Sequence, residues 1–317
     1  MLEGTLTTAV LSLTMVFSSV LFADYKKTED YAVVAEIMEI MKANVLTKSS
    51  VDWQLLQTEV DELFRTEQSD VLKKSIYRIL EVTNTGHSFY SSSSHPRFVM
   101  HYTRECHPPQ FEKTSVPNDI GYIEVSRYVS AADDDDADFV RYIRHQINTQ
   151  SKRDIKGWIV DLSDNTGGNM WPMLSGVAPL LGDGVHGYFG HSDGSKSSWS
   201  TKNGSGFIND QLMIEFSDDT AINTQLPIAV ISSQITSSSG EAILLSFKGK
   251  KNVKTFGNDS CGMSTANKPF ALSNGGTLIV TTSTMMDSFA NPYGEAIEVD
   301  IETETPFKAA TEWIRAF

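Results

Sequence analysis

The sequence is poor in cysteine, in basic residues and in long apolar runs, and each shortage removes a class of protein. Only two cysteines, Cys106 and Cys261, occur in 317 residues. That is too few for a disulfide-built scaffold, and the spacing is wrong for a structural zinc site, which takes paired ligands a few residues apart. A single bridge between the two stays open. Lys and Arg number 26 against 40 Asp and Glu, a net charge of −14, which argues against a nucleic-acid partner because the phosphate backbone is itself anionic. Beyond residue 23 no apolar stretch approaches the ~20 residues that cross a bilayer, so the mature body is expected to be soluble. Neither a G-x-G-x-x-G pattern nor a Gly-Lys-Ser/Thr phosphate loop is present. What is present suffices for a core: 40% of residues are hydrophobic and 21% charged, unlike a disordered or collagen-like chain.

Residues 5–23 carry no charge, and an apolar run from Ala9 to Phe17 resumes at Val20-Leu21-Phe22-Ala23 before Asp24 and Lys26-Lys27. This predicts a cleaved secretory signal over residues 1–23, with small Ala23 at the cleavage point, and a secreted or periplasmic protein; a retained membrane anchor is the alternative reading of the same run. Between residues 29 and 82, Val33, Val34, Ile37, Met38 and Met41, then Leu55, Leu56, Val60, Leu63 and Phe64, then Leu72, Ile76, Ile79 and Leu80 recur at helical spacing. Three helices are expected, forming an N-terminal subdomain over residues 24–85, with Ser50 or Asp52 and Ser69 or Asp70 as caps. From Ile120 onward strands alternate with helices. Residues 121–125, 157–162, 226–231 and 276–282 read as strands, and residues 137–150 and 239–247 as helices, so residues 86–317 are expected to form an α/β core. Residues 183–206, rich in Gly, Ser and Lys, read as an exposed insertion.

Three segments carry chemistry. The strand ending at Ile231 runs into Ser232-Ser233-Gln234-Ile235-Thr236-Ser237-Ser238-Ser239-Gly240-Glu241 and then an apolar helix. A serine at such a junction lies beside the open N–H groups of a helix start, where charge developing on a reacting oxygen is stabilised. Ser238 is therefore a candidate nucleophile, although Thr236 stands where the hydrolase elbow G-x-S-x-G has its first glycine. The second segment, Asp161-Leu162-Ser163-Asp164-Asn165-Thr166-Gly167-Gly168-Asn169, ends a strand in a Gly-Gly turn that could present an anion-binding nest or complete an oxyanion hole for Ser238. The third is Gly86-His87-Ser88, a histidine in a turn just after a helix. His95, His101, His107 and Cys106 fit no zinc spacing, and Asp133-Asp134-Asp135-Asp136 reads as a helix start favoured by the dipole rather than a calcium loop.

The order of these motifs resembles the family of C-terminal processing, or tail-specific, serine peptidases, in particular the branch similar to the tricorn protease core. The resemblance covers about residues 52–304: Val51-Asp52-Trp53, Gly86-His87-Ser88, Gly121-Tyr122-Ile123, Asp161-Leu162 to Gly167-Gly168, Thr236 to Glu241, the Phe256-Gly257 to Gly262 loop, and Pro292-Tyr293-Gly294-Glu295. It implies a ClpP/crotonase-like α/β core behind the helical subdomain. Ser238 matches the nucleophile, three positions before Glu241. The lysine that one branch uses as base is replaced after Gly262 by Met263, so the resemblance points to the other branch, with His87 as base and Glu295 orienting it; Glu298 is the runner-up acid. The oxyanion would be held by N–H groups of Gly168, or Gly167, and Ser239. The residues between Tyr90 and Ile120 are too few for the peptide-binding PDZ module that the family often inserts, so a peptide or protein substrate is expected to add alongside a strand of the core. No metal or organic cofactor is implied. The other reading is a noncatalytic peptide- or lipid-type ligand-binding protein on the same fold, as in the family's retinoid-binding relatives.

Overall fold

A computed structural model describes residues 25–67, 69–92, 98–101, 105–109, 111–129, 133–217, 222–223 and 225–317; the expected signal segment lies outside them. In chain order the elements begin with α1 (Glu29–Asn44), α2 (Trp53–Thr66), α3 (Val71–Thr83), β1 (Phe89–Ser91) and β2 (Phe98–Met100). Next come β3 (Gly121–Glu124), α4 (Asp133–Ser151), β4 (Trp158–Asp161), α5 (Met170–Leu181), β5 (Gly184–His191), β6 (Lys196–Lys202), β7 (Ser205–Ile208) and β8 (Gln211–Ile214). The chain ends with β9 (Ile228–Ser232), α6 (Ser239–Phe247), β10 (Val253–Gly257), β11 (Thr265–Ala271), β12 (Thr277–Met286), β13 (Ile301–Glu302) and α7 (Pro306–Ala316). These fall into two units, one of residues 1–103 with 267–282, the other of residues 104–266 with 283–317.

In the first unit the three expected helices form. Thr28 Oγ1 accepts the Tyr31 N–H at 3.2 Å, and Asp52 Oδ1 accepts those of Gln54 and Leu55 at 3.1 and 3.0 Å, so Asp52 rather than Ser50 caps α2. Asp70 precedes α3 at φ 55° without a side-chain cap bond. Their apolar stripes (Val33, Ile37 and Met41; Leu56 and Val60; Ile76 and Ile79) meet Tyr90, Val99, Leu278 and Val280 of the strands. β1 pairs antiparallel with β2 and with the start of β12.

The second unit is built on a parallel sheet of order β13-β10-β9-β4-β3. β4 and β9 are buried at every position, as befits a sheet covered on both faces. Alternate side chains sort accordingly. Trp158, Val160, Ile228 and Val230 join a core with Ile143 of α4, Leu174 and Val177 of α5 and Leu244 of α6, while Ile159, Ala229, Ile231 and Phe256 join one with Phe307, Ala310 and Ile314 of α7. The helix α4 starts at Asp133, so the aspartate run does open a helix, earlier than the expected residue 137. A second sheet of this unit runs antiparallel from the end of β12 through β5, β6, β7 and β8.

That meander corrects the reading of residues 183–206 as an exposed insertion. On its inner face Phe189 and Trp199 stack with ring centroids 4.6 Å apart, Ile208 packs against the same core, and Trp199, fully buried, donates Nε1–H to Ser246 Oγ at 3.0 Å. Gly and Ser fill the positions between and dilute the pattern. Cys106 and Cys261 are joined by a disulfide, their Cα atoms 5.2 Å apart. No helix among the described residues is long and apolar enough to cross a membrane.

Candidate active site

The central strand β9, gripped by β4 and β10, delivers the chain to a turn whose shape is set by hydroxyl groups. Thr236 N–H donates to the Ser233 carbonyl at 2.9 Å, Ser233 N–H to Thr236 Oγ1 at 2.9 Å, and Thr236 Oγ1 to the Leu162 carbonyl at 2.8 Å. Ser237 N–H donates to the Asn165 carbonyl at 3.0 Å. Anchored on both sides, Ser238 adopts φ 54° and ψ −119° at the start of α6, a conformation that costs a non-glycine residue on the order of 1–3 kcal/mol.

A buried carboxylate holds that conformation from below. Glu241, fully buried, accepts the Ser238 N–H on Oε2 at 2.7 Å and takes Ser260 Oγ–H and Gly262 N–H on Oε1 at 2.6 and 2.9 Å. The 260–262 loop is tied down in turn, since Cys261 N–H donates to the Thr236 carbonyl at 2.9 Å and its sulfur is bonded to Cys106.

Facing Ser238 is the Gly-Gly turn after β4. Gly167 and Gly168 have φ 93° and 122°, open to glycine and strained for other residues. A Cβ on Gly167 would lie 2.8 Å from Ser238 Cβ and 3.2 Å from Ser239 N; one on Gly168 would lie 1.9 Å from the Tyr128 carbonyl oxygen. Gly167 N–H is donated to Asn165 Oδ1 at 2.9 Å, and the Gly167 carbonyl accepts from Tyr128 N–H at 3.3 Å. Because a peptide group is planar and trans, the other end of that peptide, Gly168 N–H, points away from Tyr128. Neither it nor Ser239 N–H makes a hydrogen bond among the described residues. Ser239 Oγ donates to the Gly168 carbonyl at 2.6 Å, joining the two N–H bearing residues. Two uncommitted amides thus lie beside one strained serine.

At the carboxyl end of β4 the charge is balanced locally. Asp161, buried, accepts Ser163 N–H and Tyr122 Oη–H at 2.9 and 2.8 Å and lies 3.1 Å from Lys113 Nζ, which also pairs with Asp164 at 2.8 Å and Glu124 at 3.3 Å. Burial works against charge on Lys113, but Asp164 and Asp161 outweigh it and hold the ammonium above its ordinary pKa. Among the described residues no group of three His, Cys, Asp or Glu side chains could hold a metal ion.

Of the residues expected from sequence, Ser238, Ser239, Gly167 and Gly168 come together in the second unit. Glu295 lies in the same unit on an exposed loop pinned by Ser264, whose Oγ donates to the Glu295 carbonyl at 2.6 Å and accepts Gly294 N–H at 2.7 Å. Glu298 is exposed, its carbonyl taken by Lys248 Nζ at 2.8 Å. His87 belongs to the first unit. There Asn84, at φ 44°, ends α3, and Thr85 Oγ1 donates to Ser88 Oγ at 2.8 Å, closing the turn around the histidine. Asn267 Nδ2 donates to the His87 carbonyl at 3.1 Å. Burial pushes the imidazole down from 6.5 to about 4, so it is neutral near pH 7. Asn165 was given no role by sequence reasoning; its one signal was a polar residue lodged between a buried strand and a Gly-Gly pair.

Residues 119–303 match the model of peptidase family S41. The nisin-resistance protein of Lactococcus lactis subsp. lactis is 36% identical over 182 residues, 57% of this chain and 55% of that protein; the match spans about half the length of that relative. Among solved structures, a lipoprotein from Streptococcus agalactiae superposes with a TM-score of 0.71 at 24% identity, covering 91% of this chain and 97% of that one. The photosystem II D1 C-terminal processing protease gives 0.57 at 12% identity, covering 90% and 97%. These likenesses establish the α/β fold.

Proposed function

The chain belongs to peptidase family S41, and from that premise we propose that it is a serine endopeptidase with Ser238 as nucleophile, His87 as general base and Glu295 orienting the imidazole. The observation that carries the reading is Ser238 held at φ 54° beside the open N–H groups of Gly168 and Ser239. In the first step Ser238 Oγ bonds to the scissile carbonyl carbon. Its proton passes to His87, and the carbonyl π pair moves onto the oxygen, which the two N–H groups receive. Collapse breaks the C–N bond as His87 returns the proton to the leaving amine; water then repeats the sequence on the acyl-serine and releases the acid. A neutral His87 is what such a base requires at rest. Gly167, whose N–H is already donated, gives way to Gly168 as donor.

The substrate is a peptide or protein. The likeness to a nisin-resistance protein makes nisin one peptide to offer, alongside an unstructured protein such as casein, with products read by mass spectrometry. Wild-type protein is expected to cleave, and His87→Ala and Ser238→Ala are not. A folded wild type that cleaves nothing and binds a peptide instead would favour the noncatalytic alternative. We place the mature protein outside the cytoplasm. The uncharged apolar run over residues 5–23 and the Cys106–Cys261 bond, of a kind that persists in oxidising compartments, both support this. Sequencing the exported protein should find Asp24 at its N-terminus.

A further inference from the structure

We infer that Asn165 is the positioning residue of the oxyanion site: its side chain fixes the Gly167-Gly168 turn so that Gly168 N–H, and not Gly167 N–H, faces the reacting oxygen. The inference rests on the acyl-transfer reading above and concerns how that site is held. Asn165 is fully buried and its hydrogen-bonding groups are spent on three separate segments. Oδ1 accepts Gly167 N–H at 2.9 Å; Nδ2 donates to the Val125 carbonyl, just after β3, at 2.8 Å; and its own carbonyl accepts Ser237 N–H, one residue before the nucleophile, at 3.0 Å. Its N–H donates to the Leu162 carbonyl at 2.9 Å. The start of α6 rests directly on it, since a Cβ on Gly240 would fall 2.6 Å from the Asn165 carbonyl oxygen and 3.0 Å from Oδ1.

Two consequences follow from that wiring. The bond to Oδ1 turns Gly167 N–H away from the cleft, while the Tyr128 bond to the Gly167 carbonyl aims the next N–H into it. Without Oδ1, two adjacent glycines at positive φ have little to prevent rotation of the peptide between them, and Gly167 N–H becomes a buried donor in search of a partner. Asn165 touches neither substrate nor the reacting atoms; it acts through the turn.

The test compares wild type, Asn165→Ala and Asn165→Asp as full-length proteins. It reads the labelling rate with a fluorophosphonate probe, the affinity for a peptidyl boronic acid, and the pH midpoint of labelling, with folding checked by near-ultraviolet circular dichroism. Asn165→Asp keeps an acceptor for Gly167 N–H. Loss of one oxyanion donor slows acyl transfer by ~10²–10³, so Asn165→Ala should label ~10²-fold more slowly and bind the boronic acid correspondingly more weakly. The pH midpoint should stay in place because the base is untouched, and Asn165→Asp should recover about tenfold of the lost rate. A folded Asn165→Ala that labels like wild type, a midpoint that moves with the rate, or a folded Asn165→Asp no better than Asn165→Ala overturns the assignment. Wild type that is not labelled at Ser238 overturns the underlying reading as well, whereas wild type labelled at Ser238 with an indifferent Asn165→Ala overturns this inference alone.

Discussion

Two neighbouring parallel strands, β4 and β9, each end in a polar turn and a helix, yet the two junctions are finished in opposite ways. After β4 the chain uses glycine for its unusual backbone, and the donors on either side of Gly168 are satisfied: Gly167 N–H by Asn165, Asn169 N–H by the Tyr128 carbonyl, Trp171 N–H by Asn169 Oδ1. After β9 the unusual backbone falls on a serine, and Ser239 N–H at the helix start is left open. The first junction is relaxed and nearly closed; the second is strained and open. Strain without glycine persists only where surrounding contacts impose it, and here Glu241 and the disulfide-tied 260–262 loop do so.

The hardest blow to that contrast is Gly168→Ala. A Cβ 1.9 Å from the Tyr128 carbonyl must displace the turn, so stability should fall by more than about 3 kcal/mol in urea titration, and labelling of Ser238 should be lost. Removing the disulfide with paired Cys106→Ser and Cys261→Ser strikes the second junction instead. The bond spans 155 positions, and chain entropy predicts a loss of about 5 kcal/mol, again read by urea titration.

His87 offers a comparison from outside both junctions. Its pKa is about 4 in the fold against 6.5 unperturbed, so the unfolded chain takes up the proton first as pH falls. The stability that neutral His87 contributes is present above pH 6.5 and drains away toward pH 4, by up to about 3 kcal/mol. His87→Gln should flatten that part of the pH profile; an unchanged slope would contradict the burial. Smaller and opposite in sign, Ser238→Gly should raise stability by about 1 kcal/mol by relieving positive φ while abolishing labelling. A loss of stability instead would mean that the serine is not strained. Smallest of all, Lys268→Ala should change neither labelling nor stability by more than about 0.5 kcal/mol, because Lys268 lies over the Phe270 ring in the first unit. Loss of activity there would restore a lysine base.

The helices α1 to α3, the strands β3, β4 and β9, and the β9-to-α6 junction were legible in the sequence, because the helices and β3 bury one periodic face, β4 and β9 are short, nearly unbroken apolar runs, and all are bounded by capping or turn residues. The meander β5 to β8 was not. Its burial rests on widely spaced aromatics, and glycine and serine between them imitate a loop. α7 was missed as well, though Pro306 at its first turn and the Phe307, Ala310 and Ile314 stripe were the available signals. At the candidate site, the place of Ser238 before a helix was legible, but the contacts of Asn165 were not. Its partners Val125, Gly167 and Ser237 are brought together only by folding, and no spacing encodes a side-chain bond to a distant carbonyl.

Whether Ser238 carries a reactive hydroxyl is read from the intact mass of the protein after exposure to a fluorophosphonate. A single adduct is expected on wild type, mapped by peptide sequencing to Ser238 and absent from folded Ser238→Ala. A folded wild type that stays unmodified, or an adduct that survives in Ser238→Ala, would contradict it.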